Sequence, residues 1–289
     1  MALYTERLQQ HLELVERHLT EYLPTDDGIG EIMRYACEGG GKRIRPVLLL
    51  EWCRLCGGTV DTAMPFAAAI ECIHSYSLVH DDLPCMDNSP LRRGKPSAHA
   101  KYGETMALLA GDALLNRAFE IMLSADNVAP RAALRAASQL ADNAGVYGMI
   151  GGQVLDLDSE GKRIDLDTLK RLQEGKTAAL LVAACRMGAI LGGGSDKQID
   201  SAGRYGYYLG LAFQVVDDIL DVTATAEELG KPVGSDDENE KNTYVSLLGL
   251  EKAGELAASY TAQAKDALTD FADGADLRRL ADALLTRTH

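Results

Sequence analysis

The sequence predicts an all-α fold, a bundle of about ten or more helices. Apolar residues recur at helical spacing through most of the chain, as in the run Leu8, Leu12, Val15 and Leu19. Alternating patterns typical of strands are almost absent. Aromatic residues make up 6% of the chain, and Ala and Leu are abundant, which favours long helices over sheet.

The helices are expected in order between short segments rich in Gly, Pro, Asp and Ser. The predicted ranges are 3–21, 28–38, 43–56, 61–83, 103–124, 130–149, 165–191, 196–223, 243–270 and 275–287. The first three helices end at "LPTDDG", "EGGGK" and "CGGTVD", and the fourth ends at Pro84 of "LPCMDNSPLRRGKPS". "LDSEGK" precedes the helix at 165, "LGGGSD" separates the next two, and "EELGKPVGSDDENEKN" follows the helix ending at 223. None resembles a flexible linker, so residues 1–289 are expected to form one domain.

The charge balance bounds the kind of partner that the protein binds. There are 43 acidic and 29 basic residues, giving a formal net charge of −14. This charge disfavours nonspecific binding to nucleic acid or to anionic membranes, so an anionic ligand must be attracted by a local basic cluster. No apolar run is long enough to span a membrane, and the N-terminal segment lacks the apolar core of a secretory signal. A soluble, cytoplasmic protein is expected.

The six cysteines are spread through apolar helical segments without the dense spacing of a disulfide scaffold, and we expect them to be reduced. Cys53 and Cys56 form a C-x-x-C pair, but no second pair follows. A helix end is therefore favoured over a zinc site.

Paired aspartates lie in the apolar segment "GLAFQVVDDILD". Asp217 and Asp221 are four residues apart and share one helix face, while Asp218 lies about 100° round the helix. Three negative charges in apolar surroundings are costly unless cations neutralise them. The donors are all hard oxygens, which predicts Mg²⁺, with Mn²⁺ as the alternative, and excludes zinc. The other interpretation is a solvated helix end capped by Lys231.

A second acidic group lies in "LVHDDLPCMDNSPLRRGKP". Asp81 and Asp87 are six residues apart and would point to different sides of an unbroken helix. Pro84 is expected to end the helix, so that "PCM" turns and brings Asp87 back towards Asp81. A surface ion-pair network is the alternative, although the direct continuation into "LRRGKP" makes it less favourable.

The basic residues fall in two loops. Arg92 and Arg93 offer forked donors that match diphosphate oxygens. "GGGKRIRP" carries Lys42, Arg43 and Arg45 after three glycines, without the spacing of a Walker A loop. Further positive charge comes from Lys176, Lys231 and Lys241. These charges predict a site for two substrates, one diphosphate held by metal between the acidic groups and another held by basic residues alone.

Together, "GGKRIRP", "HDDLPCMDNSPLRRG", "GGQVLDLDSEGK", "EGKTAALL", "GLAFQVVDDILD" and "GK…KNTY" resemble the motifs of the trans-isoprenyl diphosphate synthases, and they span residues 39–244 in the family's order. The likeness is strongest to bacterial short-chain farnesyl diphosphate synthases. The resemblance implies an all-α homodimer with a deep central cavity in each subunit. It also implies Mg²⁺-dependent ionisation of an allylic diphosphate (dimethylallyl or geranyl), alkylation of isopentenyl diphosphate and loss of a proton.

The resemblance also implies roles for individual residues. Asp81, Asp87 and Asp217 would bind Mg²⁺, three ions with bound diphosphate, and Asp82, Asp218 and Asp221 would tune or share that role. Arg92, Lys176 and Lys231 would hold the allylic diphosphate; Lys42, Arg45, His74 and Arg93 would hold isopentenyl diphosphate. Lys241 would help to close a loop, and Thr177 and Gln214 would orient metal-bound water or the cation. A buried structural role is the alternative for His74.

Product length is expected to depend on Tyr76, five residues before Asp81 and roughly 7.5 Å deeper along the helix. In the family a bulky aromatic here stops growth at C15, and the neighbouring Ser77 is too small to contribute. Farnesyl diphosphate is therefore the expected product and geranylgeranyl diphosphate the alternative. A terpene cyclase would need only one diphosphate pocket. A non-catalytic subunit would be expected to lose an acidic or basic cluster.

Overall fold

The computed structural model describes residues 3–25, 28–38, 40–223 and 242–287. Within these residues the α-helices are α1 (Glu6–His18), α2 (Ile29–Glu38), α3 (Ile44–Leu55), α4 (Val60–Asp81), α5 (Ala98–Tyr102), α6 (Glu104–Leu123), α7 (Pro130–Ala144), α8 (Met149–Ser159), α9 (Leu166–Gln173), α10 (Ala179–Leu191), α11 (Asp196–Thr223), α12 (Tyr244–Leu248), α13 (Leu250–Asp266) and α14 (Ala275–Leu285). A short 3₁₀ turn, Leu19–Tyr22, follows α1, and a π-helical turn, Glu174–Ala178, joins α9 to α10. The predicted all-α fold is confirmed.

Two of the differences from the predicted ranges occur at glycines. The helix predicted at 130–149 ends at Ala144, and α8, which was not predicted, begins at Met149 after Gly148. The helix predicted at 243–270 divides at Gly249, whose φ of 81° lies outside the helical region. The low helix propensity of Gly151 and Gly152 conceals α8 in the sequence.

The helix α4 runs through the core and determines where its C-terminal aspartates lie. Thr59 caps its start by accepting a hydrogen bond from the Thr62 backbone N–H at 3.3 Å. Most of its residues are buried, and Phe66 and Ile70 are fully buried. It packs against α3, α6 and α10, and a helix that is apolar on all sides is stable only in such an interior position.

The helix α11 packs along α10 and α13 and brings the second aspartate pair to the same region. Small residues allow this close approach. A Cβ added at Gly210 would lie 2.6 Å from Ala178 Cα, and one added at Gly206 would lie 2.6 Å from the Leu181 carbonyl oxygen. The end of α11 that carries Asp217 is therefore held beside the π-helical turn.

Two glycines fix the π-helical turn against α8. A Cβ at Gly152 would lie 2.1 Å from the backbone nitrogen of Lys176, and a Cβ at Gly175 would lie 2.8 Å from Gly152 Cα. Neither position has room for a side chain. This backbone contact sets the position of Lys176 and Thr177, and such turns often occur at functional sites.

The loop after α4 contains a two-stranded antiparallel hairpin, β1 (Leu91–Arg92) and β2 (Lys95–Pro96). Its turn residues Arg93 and Gly94 both have positive φ, 54° and 76°, as a type I′ turn requires. Among the described residues, no helix is both long enough and apolar enough to cross a membrane.

Candidate active site

The end of α4 brings the first two predicted carboxylates together. The helix ends at Asp81, and the chain turns through Pro84 so that the Asp87 backbone N–H donates to the Asp81 carbonyl oxygen at 2.8 Å. The Met86 N–H donates to the Leu83 carbonyl oxygen at 2.9 Å within the same turn. The predicted return of Asp87 towards Asp81 is therefore confirmed.

Asp81 and Asp87 line the same cavity as Asp217 and Asp218 of α11. This cavity has a volume of about 530 Å³, and we call it the acidic cavity. Its lining includes Asp81, Asp87, Arg92, Asp156, Lys176, Gln214, Asp217 and Asp218. In the described part of the chain, no three His, Cys, Asp or Glu side chains are already arranged around a metal position. The donors offered are carboxylate oxygens from α4, the loop that follows it and α11, a set that fits Mg²⁺ with waters and a phosphate completing its coordination.

Unbalanced negative charge marks this cavity. Burial raises the pKa of Asp81, Lys176 opposes that rise, and Asp87 adds to it. Burial also acts to lower the pKa of Lys176, but its ion pair with Asp156 more than reverses this, so its pKa is raised. Lys176 is therefore a persistent cation beside carboxylates whose mutual repulsion a further cation would relieve.

Asp82 is turned away from the acidic cavity. Its side chain is almost fully buried, and Arg92 Nε lies 3.1 Å from each of its carboxylate oxygens. The same arginine also donates through Nη2 to Asp82 Oδ1. Asp82 thus holds the Arg92 guanidinium at the edge of the acidic cavity, and its predicted role at the metal stays a prediction.

The aspartates of α11 occupy three different environments. Asp217 pairs with Arg287, which follows α14, at 2.7 Å. Asp218 is 4% exposed and accepts from Gln214 Nε2 at 3.0 Å and from the Tyr244 backbone N–H at 2.8 Å. Asp221 is 2% exposed and is not among the described residues that line the acidic cavity.

A second cavity, about 600 Å³ and here called the basic cavity, brings together the four residues predicted to hold isopentenyl diphosphate. These are Lys42, Arg45, His74 and Arg93. Gly41 makes this possible, since a Cβ there would lie 2.7 Å from the Arg93 guanidinium. Burial and the nearby Arg45 and Arg93 lower the pKa of His74 well below its usual value, so the imidazole is neutral at physiological pH.

Arg43, in the same glycine-rich loop, has a different role. Its guanidinium is buried and pairs with Glu71 and Glu16, both at 2.6 Å, and it donates to the Cys37 carbonyl oxygen. Its backbone is left-handed, with φ of 46°, at the residue before α3. These contacts anchor the loop, which leaves Lys42 and Arg45 on either side to line the basic cavity.

A third cavity, about 350 Å³, is lined mainly by apolar groups and is called the apolar cavity. Its lining includes Tyr76, Ser77, His80, Met86, Met149, Ile150, Val154 and Leu157. It adjoins the acidic cavity through Asp81 and Lys176 and the basic cavity through His74 and Thr177. Gln214 in turn lines both polar cavities. Two polar cavities therefore adjoin one apolar cavity.

Tyr76 lies in the wall of the apolar cavity. Its side chain is 5% exposed, and its ring packs edge-on against His80 with centroids 5.7 Å apart. The hydroxyl is buried without a hydrogen-bond partner among the described residues, and burial together with Asp81 raises the pKa of Tyr76 to about 12. His80 itself bonds the Leu108 carbonyl oxygen through Nε2 at 3.0 Å.

Sequence reasoning missed several residues of these cavities. Asp156 stands in the motif "GGQVLDLDSEGK", where an aspartate in an apolar helix could have identified it. The apolar spacing of Ile150, Val154 and Leu157 could have revealed the cavity-lining face of α8. No local pattern points to Arg287. The predicted residues Lys231 and Lys241 lie outside the described residues.

The all-α fold, with aspartates lining an acidic cavity that adjoins an apolar one, defines a prenyltransferase of the trans-isoprenyl diphosphate synthase class. The sequence profile of the polyprenyl synthetase family matches residues 26–282. The chain belongs to the polyprenyl synthetase family.

Relatives and solved structures agree with this assignment. The chain is 49% identical over 267 residues to the chloroplastic heterodimeric geranylgeranyl pyrophosphate synthase large subunit 1 of Arabidopsis thaliana, covering 90% of this chain and 72% of that one. It is 49% identical over 263 residues to the chloroplastic geranylgeranyl pyrophosphate synthase of Capsicum annuum, covering 90% and 71%.

Two crystal structures share the fold. An FPP/GFPP synthase from Zymomonas mobilis superposes with a TM-score of 0.85 at 38% identity, covering 96% of this chain and 97% of that one. A Helicobacter pylori geranyltransferase complexed with magnesium and isoprenyl diphosphate has a TM-score of 0.85 at 36% identity, covering 99% and 98%.

Proposed function

We propose that this prenyltransferase condenses isopentenyl diphosphate with allylic diphosphates, head to tail, and that geranylgeranyl diphosphate is its main product. The observation that carries the product assignment is the 49% identity to plant geranylgeranyl pyrophosphate synthases. The two-substrate reaction is supported by the basic cavity, which a terpene cyclase with one diphosphate would not need.

Asp81, Asp87 and Asp217 are proposed to hold Mg²⁺, with three ions present when diphosphate is bound. The donor set supports this, and the Helicobacter pylori structure contains magnesium with isoprenyl diphosphate. Bound Mg²⁺ would supply charge stabilisation for the departing diphosphate. Arg92 and Lys176, both on the lining of the acidic cavity, would bind its remaining oxygens.

Lys42, Arg45, His74 and Arg93 are proposed to bind isopentenyl diphosphate in the basic cavity. A neutral His74 can donate one hydrogen bond to the diphosphate without adding a charge beside two arginines. The allylic C–O bond breaks with its electron pair leaving on the diphosphate. The terminal alkene carbon of isopentenyl diphosphate then bonds to the allylic carbon, and transfer of a proton to the released diphosphate restores a double bond. The apolar lining excludes water, which would quench the cation.

Farnesyl diphosphate, the product expected from the sequence, remains a second candidate because Tyr76 lines the apolar cavity. Its place five residues before Asp81 puts the ring roughly 7.5 Å deeper along α4, which would stop a shorter chain. The similarity to the FPP/GFPP synthase also supports this candidate. The greater identity to geranylgeranyl synthases favours the C20 product.

The remaining predictions concern assembly, extent and location. We propose that the protein is a homodimer and that each subunit is a single polyprenyl synthase domain spanning residues 1–289. One relative is a heterodimeric large subunit, so the alternative is a pair of unlike subunits. The cytoplasmic location stays a prediction, since that relative is described as chloroplastic.

The test is product analysis. The purified protein is incubated with labelled isopentenyl diphosphate and dimethylallyl, geranyl or farnesyl diphosphate, with Mg²⁺ or with a chelator. The dephosphorylated prenols are then separated by chromatography. We expect C20 product from all three starters and none in the chelator. A C15 end product would favour the second candidate, and no condensation with any starter would overturn the proposal.

A further inference from the structure

Asp218 is held in a different way from its neighbour Asp217. It is 4% exposed, although it lines the acidic cavity, and each of its oxygens accepts a hydrogen bond. Oδ1 accepts from Gln214 Nε2 at 3.0 Å, and Oδ2 accepts from the Tyr244 backbone N–H at 2.8 Å. A buried carboxylate that accepts a hydrogen bond on each oxygen holds its two donors in place, and a metal ion could bind it only by breaking those hydrogen bonds.

The Asp218 carboxylate determines how the Gln214 amide is oriented. An ionised carboxylate only accepts hydrogen bonds, so the amide must present its nitrogen to Asp218. The amide oxygen then faces Thr177, whose hydroxyl donates to it at 3.2 Å. Gln214 lies where the acidic and basic cavities meet, so the negative end of its dipole is held beside the place where the two substrates would react.

The second bond connects this amide to the chain beyond the undescribed residues 224–241. Tyr244 begins α12, and its side chain is fully buried. Thr243, the N-cap of α12, also lines the acidic cavity. The Asp218 carboxylate therefore holds two parts of the cavity wall at the same time, the Gln214 amide and the start of α12.

The two aspartates of the first pair, Asp81 and Asp82, also differ in their surroundings. Asp81 lines the acidic cavity, whereas Asp82 is 2% exposed and holds the Arg92 guanidinium through Nε at 3.1 Å. In both pairs the second aspartate is buried and positions a neighbouring side chain that lines the acidic cavity, although Asp218, unlike Asp82, also lines that cavity itself.

We propose that Asp218 is a positioning residue, which orients Gln214 for the condensation, and not a metal ligand. This inference rests on the proposed function, because it concerns the same site and reaction. Its consequence is that loss of Asp218 lowers turnover without changing the affinity for Mg²⁺, whereas loss of Asp217 changes that affinity.

The test compares Asp218→Asn with Asp217→Asn in the full-length protein. Asparagine keeps the size of Asp218 but presents an NH₂ group to one of its two donors. We expect kcat to fall about 10²-fold, the scale of a misplaced reacting group, with an unchanged Mg²⁺ concentration for half-maximal rate. Asp217→Asn is expected to raise that concentration. An equal rise in Asp218→Asn would overturn the inference.

A double-mutant cycle separates positioning from a general structural effect. Gln214→Leu leaves the Asp218–Tyr244 bond in place, so it also serves if Asp218→Asn does not fold. We expect Gln214→Leu alone to reproduce most of the loss in kcat, and the double variant to lose no more than the worse single variant. Full activity in Gln214→Leu, or additive losses in the double variant, would contradict the inference.

Binding of Mg²⁺ with inorganic diphosphate, measured by calorimetry, gives a readout that needs no turnover. We expect Asp218→Asn to bind as the unmodified protein does and Asp217→Asn to bind more weakly. If the unmodified protein does not condense prenyl diphosphates at all, the proposed function fails. If it does and only the variants deviate from these expectations, the inference about Asp218 alone fails.

Discussion

Arg287 donates a hydrogen bond from Nη2 to Asp217 Oδ1 at 2.7 Å, and its guanidinium carbon lies 3.9 Å from the centre of the Phe213 ring. The same nitrogen lies 3.0 Å from the Phe213 carbonyl oxygen. An arginine that follows α14 thus neutralises the carboxylate at which the proposed function places a metal. A divalent ion binding to Asp217 has to compete with this ion pair.

Replacement of Arg287 by Gln is therefore expected to lower the Mg²⁺ concentration for half-maximal rate by about two- to fivefold, the worth of a partly exposed ion pair. The measurement is initial rate against free Mg²⁺. Arg279→Gln, at an exposed position of α14, is the matched control for loss of charge and should leave the Mg²⁺ dependence unchanged. A higher Mg²⁺ requirement in Arg287→Gln would show that Arg287 supports metal binding.

Tyr76 is predicted to limit product length. Tyr76→Ala removes the ring from the apolar cavity, so the growing hydrocarbon can extend deeper and the prenols should be longer than those of the unmodified protein. Tyr76→Phe is the matched control, since it keeps the ring and removes a buried hydroxyl that has no partner among the described residues. It should leave product length unchanged. An unaltered product profile in Tyr76→Ala would exclude Tyr76 as the limit.

The contact between Gly152 and the π-helical turn predicts that adding a side chain at residue 152 lowers activity, although Gly152 carries no charge. An alanine Cβ at 152 would lie 2.1 Å from the Lys176 backbone nitrogen, so Gly152→Ala must displace Lys176. We expect kcat/KM to fall by about 10²-fold, on the scale of a misplaced positioning group.

Gly254 in α13 provides the matched control, since a Cβ there meets nothing within 4 Å. Gly254→Ala should stabilise the protein by about 0.5–1 kcal/mol through helix propensity and leave activity unchanged. Thermal unfolding and steady-state kinetics measure both effects. Normal activity in Gly152→Ala would contradict the role given to this contact.

The lowered pKa of His74 predicts that the free energy of unfolding decreases in acid. Its pKa in the folded state is lowered by burial and by nearby arginines, including Arg45, Arg93, Arg43 and Arg92, whereas the unfolded chain keeps the usual 6.5. Below that pH the unfolded state binds more protons at this residue, so the free energy of unfolding falls as pH decreases. His74→Gln should lose less stability than the unmodified protein between about pH 7.5 and pH 5.5. Urea unfolding at both pH values measures this, and equal losses in the two proteins would contradict it.

Local sequence rules were sufficient to predict how Asp81 and Asp87 come together after α4. Pro84 predicted that α4 would end and that Asp87 would return, because proline affects only the residues beside it. The spacing of Asp217 and Asp218 likewise placed them on different sides of one helix. These inferences need only the backbone geometry of a few residues.

Other parts of the site depend on contacts distant in sequence. Arg287 meets Asp217 across 70 residues, and no local pattern identifies that pair. The helix α8 was missed because its glycines, which reduce helix propensity, are required by the close approach of Gly152 to Gly175. The second aspartate of each pair was expected to tune or share metal binding, and that role stays a prediction. Its burial and its hydrogen bonds come from contacts that the sequence does not specify.

The most direct test of the central claim is a crystal structure with Mn²⁺ and inorganic diphosphate, in which anomalous scattering locates the ions. The account predicts Mn²⁺ between the α4 and α11 walls, bound by Asp81, Asp87 and Asp217 at roughly 2.1 Å. It also predicts that Arg287 is displaced from Asp217. Ions found only outside the acidic cavity, or carboxylates that do not contact them, would contradict the account.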